Sequence, residues 1–283
     1  MDYPKISIIT PSYNQAEYLE TTIKSVISQS YPNLEYIIID GYSTDGSIEI
    51  IKKYAGQLKY WVSEKDEGMY HALQKGFKAS SGEIMGWINS DDILHNRSLF
   101  TIAEIFNIDK NINWITGVPT SIDQTNRIID WANIRRWSRF NFFQEDCDTI
   151  QQESTYWKRD LWAKAGGCLN THYKYAADLE LWARFFLHTQ LYSVKVPLGA
   201  FRLRPGKQLS SIFKEEYEKE ADNILKQLPV NESDKKILKK IEAYNKFSLL
   251  LKSDSIRSRY DKLYNYPPFI YYDKGKGTFD KSI

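Results

Sequence analysis

The segment ISIITPSYNQAEYLETTIKSVISQSYPNLEYIIID, residues 6 to 40, decides the fold. Its opening, Ile6 to Thr10, is short, apolar and β-branched and reads as a strand. The polar turn PSYNQ leads to a segment of helical period from about Glu17 to Gln29. Tyr36 to Asp40 then reads as a second strand, apolar enough to be buried on both faces. Strand, helix and strand in that order form the βαβ unit of a parallel sheet, because parallel strands need a long crossover between them. The alternation continues outward. Ser47 caps a helix to about Tyr54, Lys59 to Val62 is a short strand, Met69 to Ala79 is a helix, and Glu83 to Ile88 is a strand running into Asn89-Ser90-Asp91-Asp92. Polar residues thus collect at the carboxyl ends of strands, where open α/β sheets bind their ligands.

The chain has 283 residues, 42% of them hydrophobic, which suffices for one large α/β domain with an appendage and excludes a disordered chain. Beyond Asn96 the pattern loosens around Trp131, Trp137, Phe140, Phe142 and Phe143, with helices expected from Arg159 and from Asp178. From Lys214 onward the sequence is rich in Lys, Glu and Leu at helical period and ends in an aromatic, basic stretch and a terminus expected to fray. With 38 basic and 36 acidic side chains, no bulk field points to a nucleic-acid partner. Cys147 and Cys168 fit neither a zinc pattern nor a disulfide scaffold and are expected as buried free thiols. The N-terminal apolar run is too short for a signal peptide, and no stretch approaches the roughly 20 apolar residues that cross a bilayer. The expectation is a cytoplasmic protein, soluble or peripheral on the inner face of the plasma membrane.

Two common nucleotide-binding fingerprints fail. The first loop lacks G-x-G-x-x-G, and although Gly41 and Gly46 have P-loop spacing, Ser47 stands where that loop needs Lys. Asp91 and Asp92 directly follow an apolar strand, so they either hold a hard divalent cation against diphosphate oxygens or start a turn and cap the next helix. Asp40 ends a buried strand and needs a partner, which the N–H of a pyrimidine ring would supply. Ser43, Thr44 and Asp45 read as capping residues. Tyr13 either stacks on a base near Asp40 or packs locally. Lys65 and Asp66 lie in a charged loop before a helix start, a setting suited to phosphate or to plain solvation. Asp178 precedes Leu179, Leu181, Trp182, Phe185 and Phe186 at helical spacing and reads as an N-cap or as a general base.

PSYNQ (11 to 15), DGYSTDGS (40 to 47), EKDEGMYHALQKG (64 to 76), SGEIMGWINSDD (81 to 92), QQESTYWKRDLWAKAGG (151 to 167) and YAADLELWARF (175 to 185) together resemble the family 2 glycosyltransferases in order and spacing. The resemblance implies a GT-A fold, a mixed sheet flanked by helices. The catalytic domain would span residues 1 to 213, with a nucleotide-sugar half over 1 to 95, an acceptor half over 96 to 213, and a helical appendage over 214 to 283. It implies a nucleotide-sugar donor, a UDP-sugar first, whose base lies against Tyr13 and Asp40 with Thr10 and Pro11 beside it, and Lys65 and Asp66 near ribose and phosphates. Asp91 would take Mn²⁺ or Mg²⁺, flanked by Asn89 and Asp92. Asp178 would be the base of an inverting displacement, and Gln152 and Glu153 would line the pocket for a glycan or lipid-linked acceptor of cell-surface polysaccharide synthesis.

Several residues depart from the family pattern. Asn89 replaces a leading Asp, His71 and Gln74 replace Asp and Asn, and Arg204 stands where relatives carry His. If its loop closes over the donor, Arg202 or Arg204 would neutralise diphosphate charge directly. The departures at His71, Gln74 and Arg204 motivate an alternative, a catalytically silent nucleotide-sugar-binding or scaffold subunit. Tyr264 to Tyr272 with flanking lysines reads either as a contact to an anionic membrane surface or as an arm packed on the main domain or on another subunit of an oligomer.

Overall fold

The computed structural model describes residues 3–147, 150–206, 212–248 and 262–281. The opening segment forms β1 (Ile6–Ser12), α1 (Ala16–Ile27) and β2 (Leu34–Asp40). It is extended by α2 (Ser47–Tyr54), β3 (Tyr60–Ser63), α3 (Met69–Ala79) and β4 (Ile84–Trp87). β1 pairs in parallel with both β2 and β4, and β2 with β3. The chain therefore moves outward on one side of β1 and returns to the other, which opens a crevice at the carboxyl ends of β1 and β4. The register sets Ser12, Asp40 and Ser63 in one row along that edge.

The second half supplies β5 (Ile93–Leu94), α4 (Ser98–Ile108), β6 (Trp114–Thr116), β7 (Thr120–Ile122), β8 (Ile128–Trp131) and α5 (Arg139–Phe142). It continues with β9 (Thr155–Lys158), α6 (Arg159–Lys164), α7 (Ala177–Phe186), β10 (Tyr192–Ser193) and β11 (Gly199–Arg202). β9 lies antiparallel between β4 and β6, completing a mixed seven-stranded sheet of order β10-β6-β9-β4-β1-β2-β3. A second sheet has the order β5-β11-β7-β8. Its antiparallel register pairs Ala200 with Ile93, so β11 carries Arg202 back to the Asp91-Asp92 pair that precedes β5.

Alternation along the strands sorts the core into two layers, as a two-residue side-chain period requires. Ile9, Ile37, Ile39, Met85 and Trp87 pack with α3, α6 and α7, while Ile8, Tyr36, Ile38 and Ile84 pack with α1, α2 and α4. Trp182 of α7 stacks on Trp87 and Trp114, with ring centroids 5.8 and 5.5 Å apart. Those rings fix α7 against the sheet, and with it the position of Asp178.

The appendage begins with α8 (Lys214–Lys226) and α9 (Glu232–Ser248), helices as expected. Its terminus corrects the expectation of fraying, because β12 (Ile270–Asp273) and β13 (Thr278–Lys281) form an antiparallel hairpin. Ile270 bridges to Val194, Ile270 and Phe279 are buried with α4, and Lys281 pairs with Asp109. Two short runs rich in strand formers around a Gly-containing turn outweigh the helical period read across them. The aromatic stretch before the hairpin also packs inward: Tyr264 is buried and accepts from Gln144, Arg136 covers Tyr266, and Lys195 covers Phe269. Cys168 is exposed and Cys147 half-buried, so the expectation of two buried thiols is also corrected. No helix among the described residues is long and apolar enough to cross a membrane.

Candidate functional site

The sheet edge holds two groups of carboxylates. At the β2 end, Asp40 is 0% exposed. Its Oδ2 accepts from the Ser43 amide at 2.9 Å and from Ser63 Oγ at 2.7 Å, and its Oδ1 accepts from Ser43 Oγ at 2.5 Å. The partner a buried carboxylate needs is thus supplied by the chain, where the sequence reading assigned a pyrimidine N–H. Ser43 clamps Asp40 instead of capping a helix. Asp45 precedes the α2 N-cap, Gly46, and accepts from the Ser47 amide at 3.0 Å and from the Ala16 amide, at the start of α1, at 2.9 Å. Thr10 is buried within β1, where its hydroxyl lies 3.0 Å from the Tyr36 hydroxyl and is engaged in the core, and Pro11 is buried beside it.

Tyr13 is 63% exposed at the rim of the crevice. A Cβ added to Gly41 would lie 3.3 Å from the Tyr13 ring and 3.1 Å from the Asp66 carboxylate, so these three residues border one narrow mouth. Any larger residue at 41 would press on both side chains. Asp66 accepts from the Gly68 amide at 2.9 Å, and Lys65 is exposed with no ion-pair partner among the described residues.

The second group is built by β5 and β11. Arg204 Nη2 pairs with Asp91 Oδ2 at 2.6 Å, and its Nη1 donates to Gln15 Oε1 at 3.2 Å. Asp92 Oδ1 accepts from the Arg202 amide at 2.9 Å, and its Oδ2 from Asn89 Nδ2 at 3.2 Å. The Arg202 guanidinium is buried and donates to the Asp91 carbonyl at 2.5 Å, the Asp123 carbonyl at 2.8 Å and Asn126 Oδ1 at 2.6 Å. It clamps the β7–β8 turn onto the site, so its donors are taken up by the chain and not held out for a diphosphate as the sequence reading expected.

Gln152 and Glu153 lie in a short 3₁₀ turn (Gln152–Ser154) before β9. β11 passes so close that a Cβ on Gly199 would collide with the Glu153 carbonyl. Gln152 Nε2 donates to the Trp87 carbonyl at 2.5 Å. Among the described residues, Asn89 Oδ1, Gln152 Oε1, Glu153 Oε1 and Arg204 Nε are buried without a hydrogen-bond partner. A buried polar atom left so costs about 1–3 kcal/mol, so each of the four can take a bond from a ligand or a water.

Charge points the same way. Burial pushes Asp92 well above the usual carboxylate range, and the charges of Asp91 and Glu153 add to it. Burial pushes Glu153 up to about 8, with Asp91 and Asp178 adding. Burial raises Asp91 too, against the pull of Arg204 and Arg202. Arg204 and Arg202 act on Asp91, whereas Asp92 and Glu153 are held toward their neutral forms by burial and by neighbouring carboxylates. Among the described residues, no group of three or more His, Cys, Asp or Glu side chains could hold a metal ion by itself.

At the other end of the crevice stands Asp178. The N-cap of α7 is Ala176, so Asp178 lies inside the first turn and is not the cap. Its Oδ1 accepts from the Leu179 amide at 2.9 Å and from the Tyr70 hydroxyl at 3.2 Å, and burial raises its carboxyl above the ordinary value. The departures at His71 and Gln74 have structural uses. His71 pairs with Glu67 at 3.3 Å, and Gln74 Oε1 accepts from the Leu169 amide at 2.7 Å, holding the loop that leads to α7. Sequence reasoning missed Tyr70, Ser63 and Gln15. Tyr70 was quoted within a motif without a role, and only the strand register brings Ser63 to Asp40.

Comparison with known proteins follows this geometry. A family model described as glycosyl transferase family 2 matches residues 7–157. A putative teichuronic acid biosynthesis glycosyltransferase, TuaG of Bacillus subtilis, is 37% identical over 92 residues, which cover 31% of this chain and 36% of TuaG. The matched part spans well under half the length of such curated relatives. S. aureus TarS 1-349, solved in complex with UDP-GlcNAc, superposes with a TM-score of 0.62 at 17% identity over 92% of this chain and 79% of that one. The mannosyltransferase PcManGT of Pyrobaculum calidifontis, solved with GDP-Man and Mn²⁺, gives 0.54 at 17% identity over 93% and 69%. Both share the mixed α/β architecture. With the family model covering more than half of the sequence and the motif residues gathered at one sheet edge, the chain belongs to glycosyl transferase family 2.

Proposed function

We propose that the chain transfers a sugar from a nucleotide diphosphate, a UDP-sugar first, to a hydroxyl of a glycan or lipid-linked acceptor in cell-surface polysaccharide synthesis, inverting the anomeric carbon. The observation that carries this reading is the link between the two ends of the edge: Gln152, beside Glu153, donates to the carbonyl of Trp87, two residues before Asn89, and Trp87 stacks on Trp182 of α7, the helix that carries Asp178. The UDP-GlcNAc held by TarS supports a uridine donor, and the TuaG likeness supports a cell-surface glycan.

Each residue then has a task. Tyr13 covers the base at the mouth bordered by Gly41 and Asp66, while Asp40 acts from behind by holding the turn that carries Gly41. Lys65 and Arg204 face the diphosphate charge. The unpartnered oxygens of Asn89, Gln152 and Glu153 accept sugar hydroxyls. Asp178 takes the proton of the acceptor hydroxyl as its oxygen bonds to the anomeric carbon and the bond to the diphosphate breaks, leaving the electron pair on the diphosphate. The Tyr70 hydroxyl holds the reacting carboxylate in place.

Mn²⁺ or Mg²⁺ fits the donor end, because burial holds the adjacent carboxyls of Asp91 and Asp92 above their ordinary range, a cation beside them favours their ionised forms, and such ions are commonly held by one or two carboxylates together with substrate phosphates. Asp91 would hold it, with Arg204 moving from Asp91 to the diphosphate. When bound, the ion stabilises charge on the leaving group. A position at the inner face of the membrane would follow from a lipid-linked acceptor, since the aromatics of the tail pack inward.

A thermal-shift and nucleotide-release screen against UDP-, GDP- and dTDP-sugars, with and without Mn²⁺, tests the reading. Metal-dependent stabilisation by UDP-sugars with slow release of UDP is expected. Stabilisation without release, even with acceptor extracts, would replace the transferase by a binding subunit, and no response to any donor would remove both.

A further inference from the structure

α7 carries Asp178, yet its N-cap is Ala176, which has no side chain to accept the free amides that open a helix. The acceptor comes from the appendage, 44 to 46 residues further along the chain. Glu220 of α8 accepts from the Lys174 amide on Oε1, and from the Tyr175 and Ala176 amides on Oε2, all at 2.9 Å. Three consecutive amides on one carboxylate are charge-assisted bonds, stronger than neutral ones. Around them the two segments interlock. Phe213, next to α8, stacks on Tyr175 at 4.9 Å, and Ala221 and Ile224 of α8 are buried in the same apolar cluster as Leu179 and Phe186 of α7. The Tyr175 carbonyl lies 3.1 Å from the Tyr70 hydroxyl, which reaches Asp178 at 3.2 Å.

We propose that Glu220 is a positioning residue of the active site: it fixes the 174–176 backbone, and through it Tyr70 and Asp178, in the arrangement a general base needs. The appendage is then part of the catalytic unit and not a detachable arm. This rests on the reading of Asp178 as the base. The groups bearing on Asp178 come from each neighbouring element: Tyr70 from α3, Glu153 from the turn before β9, and from α8 Glu220, with Tyr217 acting on Tyr70. Burial raises the Asp178 carboxyl, the bonds from Leu179 and Tyr70 oppose this, and the Glu220 charge adds to it.

The test uses full-length Glu220→Gln, Glu220→Asp and Asp178→Asn, with kcat, donor KM and the pH profile of kcat for each. Glu220→Gln is expected to lower kcat about 10- to 100-fold, the cost of a base displaced by a fraction of an ångström to an ångström, with donor KM unchanged. Its acidic limb should move to lower pH, because a negative charge beside the base has gone. Glu220→Asp keeps the charge, so its limb stays at the wild-type position. Wild-type kcat and an unmoved limb in Glu220→Gln, with Asp178→Asn inactive, would overturn the proposal alone. Near wild-type turnover in Asp178→Asn would instead remove the base on which it rests. Should Glu220→Gln fail to fold, hydrogen exchange on the wild-type protein decides: protected amides at 174–176 uphold the proposal, and exchange as fast as an open loop rejects it.

Discussion

The two carboxylate groups on the edge of the seven-stranded sheet are both buried and differ in what surrounds them. Asp40 has an amide and two hydroxyls on its oxygens, all from its own chain. Arg202 and Arg204 act on Asp91, and Arg202 on Asp92, while neither acts on Glu153, and burial pushes all three carboxyls toward the protonated form. Burial alone therefore does not reveal a carboxylate's role. Its neighbours separate the two groups: Asp40 is bonded by neutral donors of its own turn and of β3, whereas Asp91, Asp92 and Glu153 lie near one another, and it is this second group that is proposed to meet the ligand.

The largest effect that separates the two groups is expected at the base end of the open cluster. Asp178→Asn should slow transfer about 10²- to 10⁴-fold, the usual cost of losing a general base. Nucleotide affinity and melting temperature should stay near wild type, as donor titration and a melting curve would check. Asp40→Asn should do the reverse. Turning an amide toward the Ser43 and Ser63 donors should cost about 2–3 kcal/mol of stability, since hydrogen bonds to charged groups contribute about 1.5–3, and chemical denaturation reads that directly. A large loss of turnover without loss of stability in Asp40→Asn would erase the distinction.

The pH dependence of stability sharpens it. Glu153 titrates near its ordinary value of about 4.5 when unfolded and at about 8 when folded, so the native state binds the extra proton between those values. Stability from this group is complete below the lower value and is lost as pH rises toward the upper one. Glu153→Gln should flatten that decline, which denaturation at several pH values would reveal. An unchanged slope would mean that another group carries it. The smallest effect is expected for Ser63→Ala, which removes one of the three bonds on Asp40 and should cost about 1–2 kcal/mol.

Much of this arrangement was legible from local pattern. The βαβ start, the exact span of Met69 to Ala79 as a helix, and the run of polar residues at strand ends follow from period and turn chemistry, and the motif order pointed to the family. What escaped depended on contacts far apart in sequence. Arg202 looks like any basic loop residue until β11 pairs with β5 and carries it to Asp91. Glu220 sits in a Lys/Glu-rich helix whose pattern reads as solvated, and nothing local says that it faces the start of α7. Thr10 is polar and next to a turn, yet strand alternation turns it into the core toward Tyr36. The C-terminal hairpin is stabilised by Val194 and α4, neither of which its own sequence can announce.

The open cluster, with Asp91 in it, is proposed to hold the donor diphosphate and its cation. Calorimetric titration of UDP into wild type and Asp91→Asn, with and without Mn²⁺, puts that placement to the test. Mn²⁺ is expected to tighten UDP binding in wild type and to have no such effect in Asp91→Asn, which still binds UDP weakly through the Tyr13 mouth and Arg204. Equal tightening by Mn²⁺ in both proteins would contradict it.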